Sequence, residues 1–169
     1  MSRGLLARAA VAAALALVLG VSLKAVVDRE RTLEQGRIVL LRLAPVDPRS
    51  LMQGDYMALR FAIDGELPAP LGEEGASPTA YALLALDAEG RARLAGVADA
   101  LPAGGSAAMR IRRRDGRATI GPNAFFFQEG TAAVYEAAHW GEFRVAPDGT
   151  ALLTHLRDEA LNRLGGQRR

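Results

Sequence analysis

The chain has no cysteine among its 169 residues, so it offers no thiol nucleophile, no disulfide framework and no cysteine-ligated zinc or iron–sulfur centre. Lysine is nearly absent: Lys24 is the only one, and every other basic residue is arginine. That removes a P-loop lysine, a Schiff-base lysine and a Ser–Lys dyad from the folded part. No Gly-x-Ser-x-Gly elbow surrounds Ser50, Ser77 or Ser106, which leaves a serine-hydrolase triad without support. Net charge is also small, at +2. Arg3, Arg8 and Lys24 belong to the N-terminal segment, so the remainder carries 18 basic against 19 acidic groups. That balance carries no electrostatic footprint for nucleic acid.

What the chain does have is a long apolar run. Ala9–Leu23 reads AAVAAALALVLGVSL without a charge and continues through Lys24 to Val27. A bilayer core takes about 20 apolar residues in a helix, and a lysine within a turn of the end can snorkel to the headgroups. One crossing is therefore expected. The competing reading is a cleaved signal peptide, since Arg3 and Arg8 form a basic leader, but no small-x-small signal followed by a break is evident, the nearest candidate ending at Ala25 having Leu23 at the third position back and Lys24 between. The expectation is an uncleaved signal anchor over residues 1–27, with the leading arginines cytoplasmic and everything after Val27 outside the cytoplasmic membrane. Residues 28–36, DRERTLEQG, are polar helix formers closed by glycine and read as a juxtamembrane stalk.

Beyond the stalk, short apolar or alternating runs are punctuated by turn dipeptides. The runs are 37–44, 54–63, 80–87, 91–98, 107–114, 117–120, 124–128, 142–146 and 151–155, and the turn signals are Asp64-Gly65, Glu89-Gly90, Asp115-Gly116 and Asp148-Gly149. An Asp-Gly pair between extended runs predicts a two-residue type I′ hairpin, whose two central positions both need positive φ. The fold class is therefore mainly β, a small β-rich domain of hairpins with one or two short helices and an N-terminal transmembrane helix. The helices are expected over Thr131–Trp140 and Leu156–Leu164, and the Pro/Gly-rich segment Gly65–Pro78 as a surface crossing. The domain is expected to run over 37–158, with 159–169 as a C-terminal tail.

Within the second run the chain reads Gly54-Asp55-Tyr56-Met57-Ala58-Leu59-Arg60-Phe61. Strand alternation sends Met57, Leu59, Phe61 and Ile63 one way, into a core, and Tyr56, Ala58, Arg60 and Ala62 the other. Asp55 falls on the apolar side, where a carboxylate is costly unless it accepts backbone N–H bonds or pairs with an arginine. Gly54 before it suits a tight entry turn, so the pair reads either as a turn-and-strand lock or as a ligand-binding aspartate. The pattern Gly54-Asp55-Tyr56-x-x-Leu59-x-Phe61 resembles the defining motif of the bacterial GDYXXLXY domain family, with phenylalanine at the final tyrosine. Phe125-Phe126-Phe127-Gln128-Glu129-Gly130, a segment containing Glu136, and the Asp148-Gly149 hairpin are similar to later parts of that family. The resemblance covers nearly all of residues 37–158 and implies a short membrane-anchored protein, often encoded beside larger polytopic membrane proteins. It implies no activity.

Other constellations are weaker. Leu51-x-x-Gly54-Asp55 also resembles a fragment of the signal-peptidase motif, but the nucleophile position is Val46 and the only lysine is in the membrane segment. His139 and His155 with Asp158 or Glu159 would make a two-histidine, one-carboxylate set, although His155 and Asp158 fall on opposite faces of an extended run. Glu129-Gly130 reads as a strand end turning into a helix, with the carboxylate near the helix N-terminus. Arg110–Arg114 makes a basic hairpin tip that is either a solvated face or a contact for anionic headgroups or an acidic partner.

The expected function is a non-enzymatic accessory protein whose β-rich domain docks on a polytopic membrane protein. The motif residues Gly54, Asp55, Tyr56, Leu59, Arg60, Phe61, Glu129 and Gly130 are structural or partner-binding. No catalytic residue, metal, cofactor or nucleic acid is expected. The alternatives are an extracytoplasmic hydrolase with a cryptic carboxylate or histidine site, and a small-ligand or lipid-binding module. Clustering of Asp55, Arg60, Glu129 and His139 about a pocket would favour these alternatives.

Overall fold

The structure, a computed structural model, describes residues 3–44, 52–53, 56–68, 79–102, 107–114 and 117–165. It opens with the helix α1 (Arg3–Gln35), 33 residues long and therefore about 50 Å. Its apolar window reaches a mean hydropathy of 2.3, so α1 is long and apolar enough to cross a membrane. Val11, Leu17 and Leu23 on it are exposed, whereas Thr32 near its far end is buried. Residues 28–35 of the expected stalk are thus the last turns of the same helix.

The strands that follow are β1 (Arg37–Arg42), β2 (Met52–Gln53), β3 (Tyr56–Ala58), β4 (Ala80–Leu86), β5 (Ala92–Ala98), β6 (Ala107–Arg114), β7 (Arg117–Thr119), β8 (Ala124–Phe126), β9 (Trp140–Val145), β10 (Ala151–Arg157) and β11 (Arg163–Leu164). One short helix, α2 (Ala132–Tyr135), precedes β9. They form two four-stranded sheets, ordered β1-β9-β10-β11 and β5-β4-β6-β7, and a small sheet, β2-β3-β8. The two larger sheets are stitched together by Leu40 N–H to the Gly90 carbonyl at 2.8 Å and by Arg110 N–H to the Gly149 carbonyl at 2.9 Å. Val39, Leu41 and Phe143 of the first sheet meet Ala82, Leu84 and Met109 of the second in the core, all buried. β1 and β9 are covered on both faces, because Leu40 and Glu142, which point away from Val39 and Phe143, are buried too.

Only Gly36 separates α1 from β1. Its N–H donates to the Thr32 carbonyl at 2.9 Å, and its own carbonyl accepts Arg144 Nη1 at 3.1 Å. A Cβ at position 36 would overlap the Thr32 carbonyl and come within 3.1 Å of the Val145 nitrogen. With α1 also packed on β9 and β10, the helix enters the domain through a tight joint rather than a tether.

The β-rich reading holds, and the differences from expectation have local causes. The Glu89-Gly90 and Asp148-Gly149 turns are three-residue loops, not type I′ pairs. Only the glycines take positive φ, +84° and +81°, and the loops close by Asp87 N–H to Arg91 O and Ala146 N–H to Thr150 O. Asp87 and Asp148 side chains add bonds to Arg91 N–H and Thr150 N–H. Asp64-Gly65 lies in a 3-10 turn (Ala62–Gly65) rather than a hairpin. Asp115-Gly116 lies outside the described residues, although β6 and β7 on either side pair with Arg114 opposite Arg117. Of the helix expected over 131–140 only α2 forms. The helix expected over 156–164 is replaced by the end of β10, a turn, and β11. That turn repeats the three-residue loop, closed by Asp158 N–H to Asn162 O, with Leu161 at φ 66° where the sister turns have glycine. The segment expected as a tail from 159 therefore contributes a paired strand to the first sheet. Of the crossing expected over Gly65–Pro78, residues 69–78 lie outside the described residues.

Candidate functional site

Gly54 and Asp55 lie outside the described residues, so the site is built from Tyr56 onward. β3 pairs with β8, placing Tyr56 opposite Phe126 and Met57 opposite Phe125. Beyond it the chain stays extended through Phe61, tied by Leu59 N–H to the Asn123 carbonyl and Ala44 N–H to the Arg60 carbonyl. Alternation therefore persists through Phe61: Met57, Leu59 and Phe61 are buried and Arg60 is exposed, whereas Ile63 is buried from the 3-10 turn. The Phe61 ring lies edge-on to Phe143, centroids 5.3 Å apart at 64°. It fills a slot that exists because residues 121 and 141 are glycine. A Cβ on Gly121 would overlap the ring, and one on Gly141 would sit 2.9 Å from it.

The amide lock expected of Asp55 is made, among the described residues, by Asp64. One carboxylate oxygen accepts Ile120 N–H at 2.9 Å and the other accepts Phe61 N–H at 3.3 Å. Burial pushes this carboxyl above its ordinary range against the pull of those two amides. The turn after Phe61 is thereby tied to the loop carrying Gly121, which closes the slot around the ring.

Phe125 and Phe127 turn inward onto Tyr135 of α2, at 5.3 Å and 5.1 Å between centroids. This anchors the short helix. Phe126 between them is 75% exposed and lies 5.8 Å from Tyr56. Glu129 and Gly130 form the exposed turn into α2, Gly130 at φ 79°.

One polar cluster among the described residues was not foreseen. Glu142 is completely buried on the face of the first sheet opposite the apolar core. Its carboxylate accepts Arg157 Nε at 2.7 Å, Arg163 Nε at 2.8 Å and Arg163 Nη2 at 2.7 Å, with Arg157 Nη2 also at 2.7 Å. Burial drives its pKa upward, but the hydrogen bonds from Arg163 and Arg157, with their charges, outweigh that and hold it below the usual carboxylate range. Arg157 also donates Nη1 to the Leu161 carbonyl at 2.7 Å. The left-handed residue thus aims an acceptor at the guanidinium. A bulge at Thr154, whose hydroxyl donates to the Glu142 carbonyl at 3.1 Å, brings His155 opposite Glu142. His155 Nδ1 is 3.9 Å from that carboxylate. Burial first, then the charge of Arg163, pushes the imidazole pKa down against the pull of Glu142. With its oxygens occupied by two guanidinia, Glu142 is a clasp between β9, β10 and β11 rather than a proton acceptor.

A sequence model described as GDYXXLXY protein matches residues 18–156. The chain belongs to the GDYXXLXY family. No curated protein and no solved structure matches it. The family match takes in the second half of the apolar stretch of α1, the motif strand, Glu142 and His155, and stops one residue before Arg157.

Within this GDYXXLXY chain the described motif residues divide by role. Leu59 and Phe61 are core, Tyr56 and Arg60 face outward, and Glu129 and Gly130 shape a turn. The histidines are served by different carboxylates: His139 Nε2 lies 3.8 Å from Glu159, whereas His155 faces Glu142, and Asp158 is spent on Asn162. Arg60, Glu129 and His139 are each exposed. The signal that would have found the clasp is Glu142 itself, a lone acid in the alternating strand Trp140–Val145.

Proposed function

We propose that this GDYXXLXY protein is a bacterial membrane-anchored accessory protein: α1 is a retained signal anchor in the cytoplasmic membrane, and the β-rich domain sits on the periplasmic side, docked on a polytopic membrane protein. The joint at Gly36 carries this reading. A flexible stalk would let the domain roam, whereas a helix joined directly to β1 and packed on β9 and β10 holds it at a fixed position beside whatever shares the membrane. The exposed apolar side chains of α1 need a lipid or helical environment. On the domain, Phe126, Tyr56 and Arg60 combine a large exposed aromatic with residue types enriched at binding hot spots. Among the described residues Glu142 is the one buried carboxylate, and its contacts to two guanidinia commit it to structure rather than acid–base chemistry, which weighs against the hydrolase alternative.

The test is affinity purification of the tagged full chain from detergent-solubilised native membranes, with co-purifying proteins identified. The expected result is a polytopic membrane protein, lost on Arg60→Ala with Phe126→Ser while the melting temperature stays unchanged. Both side chains are exposed, so a large fall in melting temperature would instead assign them to packing within the domain. Recovery of the chain with no integral membrane protein would reject the docking role. Protease digestion of the domain only after cell lysis would reject the periplasmic placement.

A further inference from the structure

The β6–β7 hairpin concentrates the positive charge of the domain. Residues 110–117 hold five arginines against Asp115, whereas the rest of residues 37–165 holds nine basic against fifteen acidic groups. The fold then sorts these arginines. β6 pairs with β4 only as far as Ile111 opposite Ala80, and beyond that point Arg112, Arg113 and Arg114 pair with Thr119, Ala118 and Arg117. The tip is thus a two-stranded ribbon reaching past the sheet. By strand alternation and register, Arg110, Arg112 and Arg117 share one face. Ile111, on the other, is buried in the core.

Arg112 and Arg117 are exposed, and neither has a hydrogen-bond or ion-pair partner among the described residues. Arg110 alone is balanced by a carboxylate, Asp148, whose pKa is held down against burial by the hydrogen bonds from Thr150 and, to a smaller degree, by the Arg110 charge. Two exposed arginines on one face of the ribbon, Arg112 and Arg117, call for an anionic counter-surface.

The position of its root says which one. Gly36 packs against Val145, the β9–β10 turn follows Val145 immediately, and Gly149 in that turn accepts the Arg110 N–H at 2.9 Å. The root of the ribbon is therefore at the end of the domain where α1 enters. Eight helical residues, Asp28–Gln35, separate Val27 from Gly36 and span about 12 Å. The headgroup layer occupies roughly 5–8 Å of that on each side of a bilayer, so the entry point stands within about one Debye length of the lipid charges.

We propose that the arginine face of the β6–β7 ribbon binds anionic phospholipid headgroups of the membrane that holds α1, fixing the tilt and rotation of the domain about its anchor. This rests on the anchoring proposed above. It requires no side-chain fit to a particular lipid, only density of negative charge, and so lysine serves in place of arginine.

The experiment uses the full chain reconstituted into vesicles of phosphatidylcholine alone or with about one-third phosphatidylglycerol. The absence of cysteine allows one fluorophore at Thr119→Cys, opposite Arg112, read by quenching from headgroup-labelled lipid. Expected is quenching on anionic vesicles, little on neutral ones, and its loss at about 0.5 M salt, where screening collapses the surface field. Arg112→Gln and Arg117→Gln should each lower the bound population about fivefold, and the double lysine variant should keep it. If the glutamine variants misfold by melting temperature, the lysine variant and the salt series still decide. Equal quenching on neutral and anionic vesicles, or quenching indifferent to salt, would overturn the proposal. A label unquenched on anionic vesicles yet shielded by added polyglutamate would assign the ribbon to an acidic protein instead. A chain stripped from vesicles by alkaline carbonate would sink the anchoring and this proposal together, whereas a chain retained but unquenched would sink this one alone.

Discussion

Replacing Glu142 with glutamine should be among the most damaging single changes in the domain. Four guanidinium contacts of 2.7–2.8 Å converge on that carboxylate, and glutamine supplies one acceptor and a donor that opposes the rest. The two arginines suffer unequally: Arg163, 46% exposed, can turn to water, whereas Arg157, 19% exposed, is left as a buried charge without its partner. Removing one member of a buried ion pair costs about 3–5 kcal/mol. Escape of Arg163 puts this case at the lower end, about 3 kcal/mol, and for a domain of this size that is roughly 9–15 °C in melting temperature. Trp140, the only tryptophan, is buried on the same face of β9 two residues away. Thermal unfolding of the full chain in detergent can therefore be followed by its fluorescence. The pH dependence adds a second readout. Because the folded pKa of Glu142 lies below its ordinary 4.5, its contribution is complete above that value and drains away as pH falls toward the folded one. The gap between wild type and Glu142→Gln should therefore narrow on acidification through that window. A combined Glu142→Leu, Arg157→Met, Arg163→Met variant should recover most of the loss, since an apolar set of similar volume removes the stranded charges. A Glu142→Gln variant within about 1 kcal/mol of wild type at neutral pH would refute the clasp.

Two further outcomes follow from the packing around the motif strand and the last hairpin. Gly121→Ala forces a methyl into the Phe61 ring and should cost about 2–3 kcal/mol by denaturant melting, with the Gly121→Ala, Phe61→Leu double variant losing less than the sum of the singles; strict additivity would mean that the two do not share the slot. Leu161→Gly relieves a left-handed leucine in a turn whose two sister loops use glycine there and should raise stability by roughly 0.5–1 kcal/mol after the added backbone entropy, whereas a lower melting temperature would show that the leucine side chain outweighs its strain.

Much of this organisation is written locally. The apolar run before Asp28, the strand runs, and the burial of Met57, Leu59 and Phe61 follow from composition and a period of two, which neighbouring residues carry by themselves. So do the β4–β5 and β9–β10 hairpins, because a glycine after an acidic residue marks the left-handed position wherever the strands pair. What local signals could not supply was any pairing between distant segments. Leu156–Leu164 has a helical composition, yet Arg157 and Arg163 are drawn into sheet by a carboxylate on β9, and tertiary ion pairing overrides a propensity worth only tenths of a kcal/mol per residue. Asp64 became the amide lock because Ile120, 56 positions away, arrived beside it. The arginines of 110–117 were visible as a charged run. Only the register of β6 against β7 put Arg110, Arg112 and Arg117 on one face, and only the contact of Arg110 with Gly149 brought their root to the end where α1 enters. Position along the chain determines what each segment can become, while closure of long loops around a shared core determines which charges meet.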